Sequence, residues 1–376
     1  MNKQIISVTH LMVAYFWLCL TFSSCDRSFP ADDKPGVIIR LQVPKSLEVT
    51  TKASELDGIT ISNVWVLQYN TVNNVLLKAE MFDENAIGSA SQGILEVATS
   101  DFFEIESSFY VIANAGSDFI SSNEKETGTS PISEADLKAK TKAIVQGTPG
   151  QPTFLTSKPV KLTVESIQAS GGKAVIVAPL DRAYARVNVE WAKKDVVGSV
   201  KIRKMEVVNL PKNMAAYARA GGGLDTNYPV LSANNIYYDA KAIINLDATA
   251  YPSGWEVGTK QVFFMAENLR GMGTGTTFAE KNKKEKGPGG SLEGCTYVLL
   301  SGEYTYPGAK DPIGVQYKIY LGGNLTNDYN IQRGYSYDLK VYVTGANSAD
   351  VRVTITNGNV AVFDEVQSIT NKVDFL

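Results

Sequence analysis

Ile59-Thr60-Ile61-Ser62-Asn63-Val64-Trp65-Val66-Leu67-Gln68-Tyr69 decides the fold class. Its apolar residues fall on alternate positions, the period of a strand with one buried face. Asn73-Asn74 follows, a pair suited to a tight turn, and Val75–Met81 then supplies a hairpin partner. The same period recurs outward in both directions. Upstream, Gly36-Val37-Ile38-Ile39-Arg40-Leu41-Gln42-Val43 is a first strand, stopped by Pro44. Downstream, Gly93–Val97 is a short strand. The nearly continuous apolar run Phe109–Ala115 reads as a central one. Ser133–Lys140 is the clearest helix, with Ser133 as its cap and Asp136 three residues on. Pro159–Val164 returns to strand.

Beyond the Gly171-Gly172 break, Ala174–Pro179 and Leu180–Trp191 carry the chain through Pro179-Leu180-Asp181-Arg182, which reads as a crossing between two domains. Lys201–Leu210, Gln261–Ala266, Tyr297–Tyr306, Val315–Leu321, Tyr335–Thr344 and Val351–Thr356 follow as strands. The close spacing of the last four indicates an antiparallel sandwich. Ala215–Gly223 and the Lys- and Gly-rich Ala279–Gly290 read as exposed loops. Gly271-Met272-Gly273-Thr274-Gly275 opens no helix, so it reads as a mobile loop and not as a dinucleotide site. The fold class is therefore all-β and mostly antiparallel, with one or two short helices.

The N-terminus bounds the location. Lys3 precedes an apolar stretch from Ile5 to Phe22, and Ser23-Ser24-Cys25 closes it. A short basic region, an apolar core and small residues before a cysteine make a lipoprotein signal: cleavage falls between Ser24 and Cys25, and Cys25 carries the lipid. Two alternatives stand beside this reading. A membrane anchor would span poorly, because the run is of borderline length and contains Thr9 and His10. Plain secretory cleavage would leave Cys25 a bystander, and Phe22 is not the commonest residue at its position. Residues 25–35 read as a polar tether.

Removal of residues 1–24 would leave 352 of the 376 residues, about right for two β domains. The expected division is 36–178 and 179–376. The single histidine, His10, would leave with the signal, which excludes histidine-based catalysis and His-ligated metal sites from the mature chain. Cys25 and Cys295 would be the remaining thiols, so no cofactor, metal cluster or internal disulfide is expected. Cys295 reads as a small buried apolar residue, with a reactive thiol as the alternative. With 36 Lys and Arg against 39 Asp and Glu there is no basic face, and no nucleic-acid partner is expected.

Phe264-Met265-Ala266-Glu267-Asn268-Leu269-Arg270-Gly271 resembles the Pro-Glu-Asn-Leu-Arg-Gly signature of Bacteroidales fimbrillin-like lipoproteins, the type V pilins, with Ala266 where proline is usual. Tyr317-Lys318-Ile319-Tyr320-Leu321-Gly322-Gly323-Asn324 is similar to a strand of that family. So is Asp328–Leu339, in which Arg333-Gly334 replaces the usual Arg-Asn. The Val37–Val43, Ile61–Tyr69 and Tyr110–Asn114 strands and Pro179–Arg182 fit as well. The resemblance covers most of the mature chain, and its motifs are structural rather than catalytic.

It implies two β-sandwich-like, transthyretin-like domains and a fimbrial subunit at the outer membrane and cell surface. Its partners would be other pilin subunits, the outer membrane through the lipid, and a host or bacterial surface receptor. It also implies a trypsin-like cut near the first strand and refilling of the groove by a neighbour's strand, which is β-augmentation. Arg40 is the lead candidate for that cut, with Lys45 and Lys52 next; a solvent-facing strand residue is the plain reading of Arg40. Residues 354–376, with apolar Val360–Phe363 and Val373–Leu376, would either donate to a neighbour or complete their own sheet. The competing reading is a glycan-binding surface lipoprotein of a nutrient-uptake system. It rests on Tyr228, Tyr237 and Tyr238 as a stacking platform, or on ordinary strand packing of the same residues. No carboxylate pair sits in a recognisable glycosidase arrangement, so an enzyme is not expected.

Overall fold

The computed structural model describes residues 37–42, 61–87, 94–99, 102–144, 153–169, 174–194, 197–211, 213–217, 254, 256–346, 348–357 and 369–371. The first half contains β1 (Val37–Gln42), β2 (Asn63–Asn70), β3 (Leu76–Asp83), β4 (Ile94–Thr99), β5 (Ser107–Ala113), a helix at Glu134–Ala139, β6 (Thr141–Ala143), β7 (Leu155–Ser157), β8 (Val160–Leu162), a second helix at Val164–Ala169, and β9 (Ala174–Arg182). The second half contains β10 (Tyr184–Lys193), β11 (Ser199–Val208), β12 (Asn213–Ala215), β13 (Gln261–Ala266), a helix at Phe278–Lys281, β14 (Tyr297–Thr305), β15 (Ile313–Tyr320), β16 (Tyr335–Gly345), β17 (Ser348–Asn357) and β18 (Ile369–Asn371).

Local chemistry accounts for the elements that the sequence marks. Asn74 adopts φ +55°, a conformation asparagine tolerates, and closes the β2–β3 hairpin with its N–H on the Asn70 carbonyl at 2.9 Å. Ser133 caps the first helix by accepting from the Asp136 N–H at 3.1 Å. β2 departs from the expected one-sided burial. Val64 and Val66 enter one core, while Trp65, Leu67 and Tyr69 enter another, because both faces of its sheet are covered. β5 is central as expected, with β2 on one side and β7 and β8 on the other.

The first half is a sheet in the order β3-β2-β5-β7-β9-β1-β4, with β8 also on β5. β9 links its two parts. Residues Ala174–Pro179 pair with β1, and Leu180–Arg182 pair with β7. Pro179, which has no N–H to donate, sits where the strand changes partner. The expected domain boundary between residues 178 and 179 thus lies inside β9, and the chain turns into the second half at Ala183. The two parts of the sheet face each other across a core of Val37, Ile39, Leu41, Ile176 and Ala178 against Val64, Val66, Phe109 and Val111.

The second half is a sandwich of β13-β10-β16-β17-β18 over β11-β14-β15. Val187, Trp191, Met265 and Leu339 pack there against Ile202, Val298 and Ile319. Of the fourteen described strand pairs only β1–β9 and β10–β16 are parallel, so each half begins by laying its first strand parallel beside a late one.

A third core joins the halves. Trp65, Tyr69, Tyr110 and Phe154 pack with Tyr184, Met214, Tyr217 and Ala266. β6 of the first half pairs with β12 of the second, and Tyr217 stands edge-on to Tyr110 at 5.1 Å. Ala215–Tyr217, expected in an exposed loop, is therefore buried: the chain there is the seam between the halves and not a solvent turn.

Candidate functional site

β1 and the groove that it fills are the candidate site. Six residues long, β1 lies inside the sheet, antiparallel to β4 and parallel to β9. Its alternation is complete. Val37, Ile39 and Leu41 have no exposed surface, while Arg40 and Gln42 face solvent. Burial of three such side chains stabilises by roughly 5–9 kcal/mol at about 1.5–3 kcal/mol each, which is comparable to the whole net stability of a domain. Among the described residues β4 pairs with β1 alone, so loss of β1 would open an apolar groove beside β9 and strip β4 of its partner.

Arg40 stands mid-strand, level with Glu96 of β4 and Val177 of β9. Ser24, Cys25, Lys45 and Lys52 lie outside the described residues, as do Tyr228, Tyr237 and Tyr238. Of the expected donor segment 354–376, Thr354–Asn357 is the end of β17 and pairs with Tyr335–Asp338 of β16, while Ile369–Asn371 pairs antiparallel with Val353–Ile355 at the edge of the same sheet.

The signature residues build a lock at the base of the second half. The Asn268 backbone exchanges two 2.8 Å hydrogen bonds with Ile331. Its side-chain amide donates to the Gly294 carbonyl at 2.9 Å and to Thr296 Oγ1 at 2.8 Å. Glu267 accepts from the Arg333 backbone N–H at 3.3 Å and faces its guanidinium at 3.5 Å; Arg333 in turn donates to the Ala215 carbonyl at 2.9 Å. The lock thus fastens the seam between the halves. Gly334 adopts φ +75°, a region that asparagine also enters, so the exchange of Asn for Gly keeps the turn. Gly322 is constrained by space as well: a Cβ there would lie 1.7 Å from the Asp328 carbonyl oxygen.

Two loop expectations are corrected. Gly271–Gly275 is tied down and not mobile: Gly271 donates to Asn330 Oδ1, Gly273 to the Asn327 carbonyl and Thr274 to the Lys286 carbonyl, each at 2.7 Å. Ala279–Gly290 is not simply solvated. Thr277 caps the helix Phe278–Lys281, Phe278 docks on the core, and Lys281 is 1% exposed. Its ammonium donates to the Asn324 carbonyl and lies 5.1 Å above the Tyr329 ring. Burial lowers its pKa to about 7. Sequence reasoning missed this residue because a Lys-rich run reads as surface. The one available signal was Phe278, an apolar residue placed to dock the run. Cys295 is buried as expected, and burial raises its thiol to about 11, which keeps it inert.

Among the described residues no His, Cys, Asp and Glu cluster could hold a metal, and no helix is long and apolar enough to cross a membrane.

Residues 263–341, which span the lock, match a domain of unknown function, DUF4906. No curated protein matches the chain. Solved structures do. The chain is similar to fimbrial proteins of known structure. One is the tip fimbrial protein Mfa3 from Porphyromonas gingivalis, 9% identical over 86% of this chain and 100% of that one, with a TM-score of 0.48. A fimbrial assembly protein from Parabacteroides distasonis is 14% identical over 90% and 99%, with a TM-score of 0.48. A fimbrilin from Porphyromonas gingivalis is 14% identical over 84% and 91%, also with a TM-score of 0.48.

Proposed function

We propose that the chain is a structural and adhesive fimbrial subunit. It is exported to the outer membrane as a lipoprotein acylated on Cys25, then matured by proteolytic removal of its first strand and assembled by donor-strand exchange. The observation that carries the reading is the place of β1: an inner strand with a fully buried apolar face, next to the chain's N-terminal segment. A subunit stable on its own has no need of a plug that one cut would free. A subunit that must stay monomeric until export has such a need.

The bond after Lys45 or Lys52 is the favoured cut. Arg40 lies within a ladder paired on both sides, and a cut there would leave Leu41 and Gln42 in the groove. A protease binds its substrate as an extended strand of its own, which a doubly paired strand does not offer. For the donor, the nineteen residues 358–376 exceed the six that the groove holds. Before assembly Ile369–Asn371 has a three-residue edge pairing among the described residues, a contact that exchange can displace.

The test is made in cells. Lys45→Gln combined with Lys52→Gln should leave the protein lipidated at the surface and absent from sheared fimbriae. Incorporation of the double variant, with an intact N-terminus by mass spectrometry, would refute removal of the strand.

A further inference from the structure

Four lysines fall within six positions, at 281, 283, 284 and 286. Lys283 and Lys284 are exposed and Lys286 is half-buried. Such a stretch invites the same class of protease that the proposed maturation uses, and exposed loops are where proteolytic cuts concentrate. A cut here would sever the second half between β13 and β14. The conformation of the loop opposes it. A protease takes its substrate as an extended strand, and residues 277–291 offer no extended run. They fold into turn upon turn: the N–H of Lys283 bonds to the Glu280 carbonyl, Lys286 to Lys283, Gly287 to Lys284 and Gly290 to Gly287, each at 3.0 or 3.1 Å.

Three fastenings hold these turns to the body of the second half. Upstream, Phe278 is seated in the core and the Lys281 ammonium runs inward to the Asn324 carbonyl. The Tyr329 hydroxyl donates to the Lys281 carbonyl at 2.8 Å. In the middle, the Gly-rich stretch Gly271–Gly275 lies against the loop. Gly271 accepts from the Tyr329 N–H at 3.1 Å, and the Thr274 N–H reaches the Lys286 carbonyl at 2.7 Å. Position 273 has no room for a side chain, since a Cβ there would lie 2.2 Å from that same carbonyl oxygen. Downstream, Arg270 donates to the Glu293 carbonyl and Asn268 to the Gly294 carbonyl, each at 2.9 Å.

We propose that these fastenings are a guard: they hold the Lys-rich loop in closed turns, so that a protease specific for basic residues spares it and cuts the N-terminal segment instead. The guard gives the Gly-rich and Lys-rich motifs, neither of which carries a site of its own, one shared role. It rests on the proposed maturation for its purpose and on the bonds above for its existence. Cleavage of the loop requires it to open first. With dilute protease the rate then follows the open fraction, which is set by the local stability of the loop and not by that of the whole chain.

Limited trypsin digestion of the folded mature chain, kept free of lipid by Cys25→Ser, tests it, with the cut sites followed over time by mass spectrometry. A synthetic peptide of residues 277–292 is the reference. Cuts after Lys283, Lys284 and Lys286 should be at least about a hundredfold slower in the folded chain than in the peptide. Gly273→Ala, whose methyl group presses on the Lys286 carbonyl, should speed these cuts at least about tenfold. Thr277→Ala removes the cap of the helix Phe278–Lys281 at an exposed position. It should speed them about fivefold, and it serves where Gly273→Ala does not fold. Cuts elsewhere should keep the wild-type rate in the folded variants, because the opening is local. A wild-type loop cut as fast as the peptide would overturn the guard. So would folded variants whose loop cuts are unchanged, or rise only in step with cuts across the whole chain. A chain that trypsin leaves uncut after Lys45 and Lys52, with the loop also intact, would remove the maturation reading and leave the guard.

Discussion

At the scale of single residues, the chain uses buried polar groups to fix loops that carry no regular structure. Lys281 is the clearest case, and it makes stability depend on pH. Below about pH 7 its amine is charged in both the folded and the unfolded chain, and the folded chain carries the full penalty of burial. From about 7 up to 10.5 the unfolded chain holds the extra proton, so stability rises with pH. Between pH 7 and 8.5 urea denaturation should show stability rising by roughly 1 kcal/mol per pH unit, and Lys281→Met should flatten the rise. Burial holds the Cys295 thiol protonated in the folded chain past its ordinary 9.0, which offsets part of the rise near the top of that window, while the Tyr329 phenol, raised by burial, stays protonated throughout. A slope unchanged in Lys281→Met would assign it to other groups. Residues whose role is local were legible in the sequence: Ser133 as a cap and Asn74 in a turn each announce themselves within four positions. Lys281, Glu267 and Arg333 did not, because their partners Asn324, Arg333 and Ala215 are brought near only by the folded chain.

Among elements, β1 divides sharply between a buried and an exposed face. Its core-facing positions and its exposed ones make opposite predictions for neighbouring residues. Ile39→Ala should destabilise the protein by about 2–5 kcal/mol, while Arg40→Ala should change it by less than about 0.5 kcal/mol, both measured by urea denaturation. Equal effects would mean that β1 is not packed as described. The long strands were read from period two to within a few residues at each end. Three-residue strands such as β6, β7 and β12, and the helix Val164–Ala169, were not read, because they are too short to show a period. Nor did the sequence reveal that β1 enters parallel to β9. That pairing joins residues more than a hundred positions apart, and no local pattern encodes it.

In the molecule as a whole, two sandwich halves share a third core and a lock. Within Asp328–Tyr337, Ile331 and Arg333 supply the lock's contacts to Asn268, Glu267 and Ala215. Under the proposed function β1 is removable and another chain refills its groove. The most direct measurement treats purified mature protein with trypsin and follows heat-resistant ladders on denaturing gels, with the N-terminus of each band read by mass spectrometry. Ladders are expected whose subunits begin after Lys45 or Lys52, and they should be lost when a synthetic peptide of residues 36–44 is supplied in excess to refill the groove. Chains cut at those positions that stay monomeric, or ladders built from subunits that retain Val37–Gln42, would contradict it.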